Sequence, residues 1–139
     1  MTNVLITNVQ QYTGPGTLPV LLREKMHPIC HDSSFEDENA ALSFEKANPG
    51  ATALRAQTPE SLSSELNDRQ MEVDAVVSND VFPNTPCPIE EVTMETLRDS
   101  FEALLLFPFK LTQLLLPSMK QRKNGCFAFV TSARYLQPE

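Results

Sequence analysis

Thr7-Asn8-Val9-Gln10-Gln11-Tyr12-Thr13-Gly14 follows a short apolar run, Val4-Leu5-Ile6, in the frame of a turn that could hold a pyrophosphate. Such a turn works because small residues let backbone N–H groups at a helix N-terminus approach the anion directly. Here the first two glycine positions hold Asn8 and Tyr12, and only Gly14 remains. A phenol ring at the middle position is expected to fill the space that the phosphates would take. His31 and Asp32 stand where a dinucleotide enzyme binds ribose, but without the glycines the role expected of them is structural. The frame is that of dinucleotide chemistry and the means are missing.

The elements that must position these residues alternate along the chain. Val4-Leu5-Ile6 reads as a buried parallel strand. A helix is expected from about Thr17, with Pro19 in its first turn, where a missing N–H costs little. Pro28-Ile29-Cys30 reads as the second strand, and Ala40, Ala41, Phe44 and Ala47 mark a helix stopped by Asn48-Pro49-Gly50. The cluster Glu36-Asp37-Glu38 is the solvated start of that helix. Ala51 to Leu54 is a weak third strand. Thr58 and Pro59 open the next helix as N-cap and first residue, with Leu62 and Leu66 behind them. Val73 to Ser78 is a clear strand, ending in Asn79-Asp80 and a proline-rich loop with Pro83, Pro86 and Pro88.

Thr93 is placed to cap a long helix carrying Leu97, Phe101, Leu104, Leu105, Phe107, Phe109, Leu111, Leu114 and Leu115. Apolar residues surround much of its circumference, which implies burial on more than one side. Pro108 is expected to kink it and Gly125 to end it. Cys126 to Thr131 is a final strand. The alternation predicts an α/β fold, a Rossmann-like doubly wound parallel sheet with helices on both faces in the order 3-2-1-4-5. Residues 1–139 read as a single Rossmann-like domain. Its last strand is too apolar for an exposed sheet edge, so the domain is expected to lack its C-terminal part.

Composition narrows the function classes. Eleven Lys plus Arg against eighteen Asp plus Glu give a net charge of -7, which argues against nucleic acid as a partner. Three widely spaced cysteines, Cys30, Cys87 and Cys126, make neither a disulfide framework nor a zinc site, and a reducing cytoplasm is the expected compartment. Cys87 and Cys126 have no basic neighbour in sequence to activate them. The stretch from Phe101 to Pro117 contains Glu102, Lys110 and Pro108, so it is expected to be a buried helix and no membrane partner is implied.

Three segments now occur in one order: Thr7 to Gly14, Val77-Ser78-Asn79-Asp80, and Val130-Thr131-Ser132-Ala133. Leu116-Pro117-Ser118-Met119 and Gly125 lie between the last two. This set resembles the short-chain dehydrogenase/reductase superfamily, with Asn8 and Tyr12 replacing two glycines, Asp80 interrupting the Asn-Ala-Gly motif and Leu104 near the superfamily's helix asparagine. The departures resemble the halohydrin dehalogenases (haloalcohol dehalogenases), a cofactor-free offshoot. The likenesses are Thr7-Asn8-Val9 followed by Tyr12, Cys30-His31-Asp32-x-Ser34-Phe35, Ser78-Asn79-Asp80 and Phe129-Val130-Thr131-Ser132-Ala133.

The resemblance implies a serine, tyrosine and arginine acting together with no nicotinamide cofactor. Tyrosine takes the proton of the substrate hydroxyl, arginine lowers the tyrosine pKa, and serine positions the substrate oxygen. The alkoxide then displaces the neighbouring halide and closes an epoxide. Ser132 is the one member of the triad in this chain, and a Tyr-x-x-x-Arg pair is expected after Glu139. Tyr135 is no substitute, being too close to Ser132 and lacking an arginine four positions later. The halide and substrate pocket is implied at Tyr12, Phe82, Asn84, Pro86 and Arg134, with Thr85 between the two loop positions. Tyr12 could instead be a packing residue, and Ser132 could merely cap a strand end. The implied partners are a haloalcohol or epoxide, a halide ion and further copies of the chain in a homotetramer. The alternatives are a nicotinamide-dependent short-chain oxidoreductase and a catalytically inactive binding module.

Overall fold

Alternation of inward side chains along each strand builds a sheet that is apolar on both faces. In the computed structural model, which describes residues 1–83 and 87–131, the strands are β1 (Asn3–Ile6), β2 (His27–His31), β3 (Thr52–Leu54), β4 (Ala75–Ser78) and β5 (Cys126–Phe129). All pairings are parallel, in the order β3-β2-β1-β4-β5. Leu5, Ile29, Leu54 and Val76 point to one face, where α3 (Pro59–Asp68) and α5 (Phe107–Arg122) supply Leu62, Leu66, Leu111, Leu115 and Met119. Their neighbours Ile6, Cys30 and Ala53 point to the other, against Leu18 of α1 (Gly14–Arg23) and Ala41 and Phe44 of α2 (Glu38–Ala47). A period of two thus produces a doubly wound α/β sheet, as expected.

Local signals set most helix ends. Thr58 caps α3 in a reciprocal capping box with Ser61, and Thr93 caps α4 (Met94–Phe101) by accepting from the Thr96 N–H at 3.0 Å. Asp37 caps α2 through the Asn39 N–H. Two expectations need correction. The first helix starts at Gly14 and not near Thr17, because Pro15 takes the first-turn place assigned to Pro19. The long helix ends at Lys123 and not at Gly125. Lys123 has φ 52, and Asn124 N–H reaches back to Met119 O at 3.1 Å, so a left-handed lysine closes the helix. Gly125 serves a different need, since a Cβ there would lie 2.7 Å from that of Met119.

The long helix is also different in detail. Between α4 and α5 the segment Glu102–Leu106 is π-helical, immediately before the proline expected to kink the helix. The expectation of burial on more than one side is not met among the described residues. Leu111, Leu115 and Met119 are buried, whereas Phe101, Leu104, Leu105, Leu106 and Phe109 stay about half exposed. No helix among the described residues is long and apolar enough to cross a membrane.

A polar clamp closes the opposite end of the sheet from the turn at Asn8. The Asp74 carboxylate accepts from the backbone N–H of Asn3 at 2.9 Å, from Arg122 at 2.7 Å and from Asn124 at 3.0 Å. These bonds join the starts of β1 and β4 to the end of α5. The Asn3 backbone bond and the Arg122 guanidinium hold the Asp74 carboxyl below its ordinary value. A depressed carboxylate stabilises the fold above its unfolded pKa and loses that contribution as pH falls through the folded one. Asp74→Ala is expected to lower the unfolding free energy by about 2–3 kcal/mol at neutral pH, the scale of hydrogen bonds to a charged group. Urea melts of the protein across pH provide the check. The gap to wild type is expected to close as pH falls below the ordinary aspartate value of 3.8.

Candidate active-site groove

The turn after β1 keeps the backbone of a glycine-rich loop with other side chains on it. Asn8 and Tyr12 both have φ 48, in the left-handed region that glycine enters without strain. Asparagine tolerates that conformation, but for a bulky ring it is an outlier. Gly14 is retained for want of space: a Cβ there would lie 2.2 Å from the carbonyl oxygen of Val9. The turn is held from β4. The Asn79 side chain, with no exposed surface, donates to the carbonyls of Asn8 at 3.0 Å and Gln11 at 2.9 Å. Its amide oxygen accepts from the Thr13 hydroxyl at 2.7 Å. The Asn8 amide returns a bond to Asn79 O at 3.2 Å.

The next residue turns the same network toward chemistry. Thr7 Oγ1 accepts from the Asn79 N–H at 2.8 Å and donates to Asp80 at 3.1 Å, while Ser78 Oγ donates to the other carboxylate oxygen. Burial pushes the Asp80 carboxyl above its ordinary value, opposed by these two hydroxyls. Asp80 lines an open groove of about 660 Å³ with Ser78, Val81, Phe82, Tyr12, Leu104, Pro108 and the end of β5 from Phe129 to Thr131. It lies at the carboxyl ends of β4 and β5, where ligands bind in open α/β sheets. Its described lining is largely apolar, with a phenol, hydroxyls and one carboxylate, and carries no lysine or arginine. Such a surface suits a small, mostly apolar molecule with an oxygen to be hydrogen-bonded.

His31 and Asp32 are drawn inward. Asp32 accepts from the backbone N–H of Gln10 at 3.0 Å, from the Ser34 N–H at 3.1 Å and from the Ser34 hydroxyl at 2.8 Å. His31 is 4% exposed, its ring 5.6 Å from that of Phe107, and its Nδ1 accepts from the Asn8 N–H at 3.4 Å. Burial pushes its pKa down to about 4 against the pull of Asp32. Cys30, buried beside it in β2, has its thiol pushed up to about 12, chiefly by burial, and is no nucleophile.

Of the residues singled out by sequence, Tyr12 and Phe82 lie together on the groove. Ser132, Asn84, Thr85, Pro86, Arg134 and Tyr135 lie outside the described residues. Thr131, which precedes Ser132, lines the groove. Sequence reasoning gave no role to Asn79 or Asp80 and no groove role to Leu104 or Phe129. Placement at the end of β4 was the available signal for the first pair. No group of metal-binding side chains occurs among the described residues.

A scan of family models finds no match, and a search of curated protein sequences finds none. Solved structures do match. A dehalogenation enzyme is 38% identical with a TM-score of 0.90, over 99% of this chain and 57% of that one. A halohydrin dehalogenase bound to ethyl (2S)-oxiran-2-ylacetate is 32% identical with a TM-score of 0.92, over 99% of this chain and 55% of that one. The chain therefore spans little more than half the length of these two structures. A short-chain dehydrogenase from Streptomyces avermitilis, 24% identical with a TM-score of 0.80 over 94% of this chain and 49% of that one, shares the fold.

Two measurements check this geometry. A left-handed tyrosine stores about 1–2 kcal/mol that glycine does not. Tyr12→Gly is expected to be about 1 kcal/mol more stable than Tyr12→Ala, which keeps the strain and loses the ring. Equal urea midpoints would show that the backbone is not strained there. The buried histidine predicts a second effect. Unfolded, it takes a proton near 6.5; folded, only near 4. Its contribution is complete above pH 6.5 and lost as pH falls toward 4, about 3 kcal/mol at most. His31→Gln is expected to flatten the stability profile over that window.

Proposed function

We propose that the complete polypeptide is a carbon–halogen lyase, on the likeness of this chain to a dehalogenation enzyme and a halohydrin dehalogenase. It converts vicinal haloalcohols to epoxides with release of halide, and opens epoxides with small anions in reverse. The observation that carries the reading is Tyr12: at a position where the backbone keeps a glycine conformation, a ring stands on the groove. A ring there blocks the approach of phosphate oxygens to the turn, which supports a reaction without nicotinamide.

In this reading Ser132, next to Thr131, hydrogen-bonds the substrate oxygen. A tyrosine beyond Glu139, its pKa lowered by an arginine one helical turn later, accepts the hydroxyl proton. The alkoxide oxygen bonds to the adjacent carbon as the carbon–halogen bond breaks and the halide leaves with the electron pair. Tyr12 and Phe82, with Asn84, Pro86 and Arg134, form the side of the pocket toward the leaving halide. The half-exposed apolar side of α4 and α5 supports a homotetramer, and a cytoplasmic location is part of the same proposal.

The complete polypeptide is expected to release halide from a small bromo- or chloro-alcohol without added nucleotide. Ser132→Ala is expected to lose roughly a hundredfold in turnover, about 3 kcal/mol of positioning and electrostatic stabilisation, with its circular dichroism unchanged. A folded variant at near wild-type rate would remove Ser132 from the mechanism. Calorimetry with oxidised and reduced nicotinamide dinucleotides is expected to show no binding. Micromolar affinity would favour a reductase instead.

A further inference from the structure

Asn124-Gly125 is the single Asn-Gly pair in the chain, and it lies exposed at the joint between α5 and β5. Asparagine is a thermolabile residue, because its amide carbon can be attacked by the backbone nitrogen of the residue that follows. A side chain on that following residue hinders the approach, and glycine has none. At this position glycine is a requirement of packing, since a Cβ would lie 2.7 Å from that of Met119. The close approach that fixes glycine at 125 is thus what leaves Asn124 without steric protection.

Hydrogen bonding leaves the reacting pair open. The Asn124 N–H is given to Met119 O at 3.1 Å and the Cys126 N–H to Asp74 O at 3.1 Å. Between them, the Gly125 N–H donates to no other described residue. The Asn124 side chain makes one bond among the described residues, from Nδ2 to Asp74 Oδ1 at 3.0 Å. We propose that Asn124 is a site of spontaneous deamidation, and that the change unfastens the clamp at Asp74. The Gly125 nitrogen bonds to Cγ of Asn124 and gives up its proton, the Cγ–Nδ2 bond breaks, and ammonia leaves with that proton. The succinimide ring so formed takes up water and opens at either carbonyl, to aspartate or to isoaspartate.

Either product damages the same joint. Asp74 Oδ1 accepts from Asn124 Nδ2 and also, at 2.7 Å, from Arg122 Nη1. After deamidation a carboxylate stands where the amide donated, so two acceptors of like charge face each other and Arg122 must serve both. Isoaspartate also adds a methylene to the main chain between the bond to Met119 and the bond to Asp74. That works against the register Ala75↔Cys126 with which β5 begins, and the same strand carries Phe129 to the groove at its other end. None of this depends on the reaction proposed above.

Timed incubation of the protein under mildly alkaline conditions, followed by digestion at glutamates and mass spectrometry, tests it. The peptide after Glu102 runs to Glu139 and holds Asn124 as its one asparagine. The expected result is conversion of Asn124 to aspartate and isoaspartate faster than any other asparagine, with the urea midpoint falling in step. Asn124→Gln keeps an amide donor but its longer side chain disfavours ring closure, so its midpoint is expected to hold through the same incubation. Asn124→Asp is expected to begin at a lowered midpoint. An Asn124 that stays intact or converts no faster than the other asparagines, or conversion that leaves the midpoint unchanged, would overturn the proposal. Should Asn124→Asp fail to fold, the wild-type time course decides alone.

Discussion

The buried amide of Asn79 is the constraint on which the site depends. It offers two donors and one acceptor, and spends them on the carbonyls of Asn8 and Gln11 and on the hydroxyl of Thr13. No other chemistry of that size fits the position. A carboxylate would turn the donors into acceptors facing two carbonyls, and an apolar side chain would leave those carbonyls buried and unpaired. Because Asn79 follows directly on β4 and precedes Asp80, the same residue fixes the turn after β1 relative to the groove. The left-handed backbone at Tyr12 is held by bonds made on either side of it, at Gln11 and Thr13.

Several backbone N–H groups of that turn are bonded within the chain. In a phosphate cradle the backbone N–H groups stay free until the ligand arrives. Here the Gln10 N–H is given to Asp32, the Asn8 N–H to the ring of His31, and the Gly14 N–H to Gln11 O. The carboxylate of Asp32 occupies the role an outside anion would play, and Ser34 completes its shell. Asp80 adds a second acid nearby in a chain of net charge -7. In the cofactor-free reading proposed above, the ring of Tyr12 and the acids around the turn would act in the same direction against a pyrophosphate.

Much of this was legible in the residues. Apolar pairs such as Leu5-Ile6 and Ile29-Cys30 announce strands buried on both faces, and Thr58 and Thr93 mark helix starts by local hydrogen bonding alone. What was not legible depends on geometry across the chain. Lys123 ends the long helix in a conformation its side chain does not favour, with Gly125 two residues on as the more obvious stop. The π segment shows no sequence signal beyond Pro108. Asn79 is one of six asparagines besides Asn3 and Asn8, and only the approach of β1 to β4 singles it out.

The π segment and the turn are best understood together. A regular α-helix through Pro108 would lose one hydrogen bond and set the proline ring against the carbonyl of Leu104. Over Glu102–Leu106 the helix widens, and the Phe107 N–H goes to the Glu102 carbonyl. Leu104 then faces the groove, while Ala103 and Phe107 line a small space beside His31. A proline on one element and a left-handed tyrosine on another thus shape opposite walls of one groove. Each departs from the regular geometry of its own element, and each is tolerated because a side chain from a third strand, His31 or Asn79, packs against or bonds the departure. Such local conflicts are found where a fold has been adapted to a site, and here they coincide with the space where a small substrate would lie.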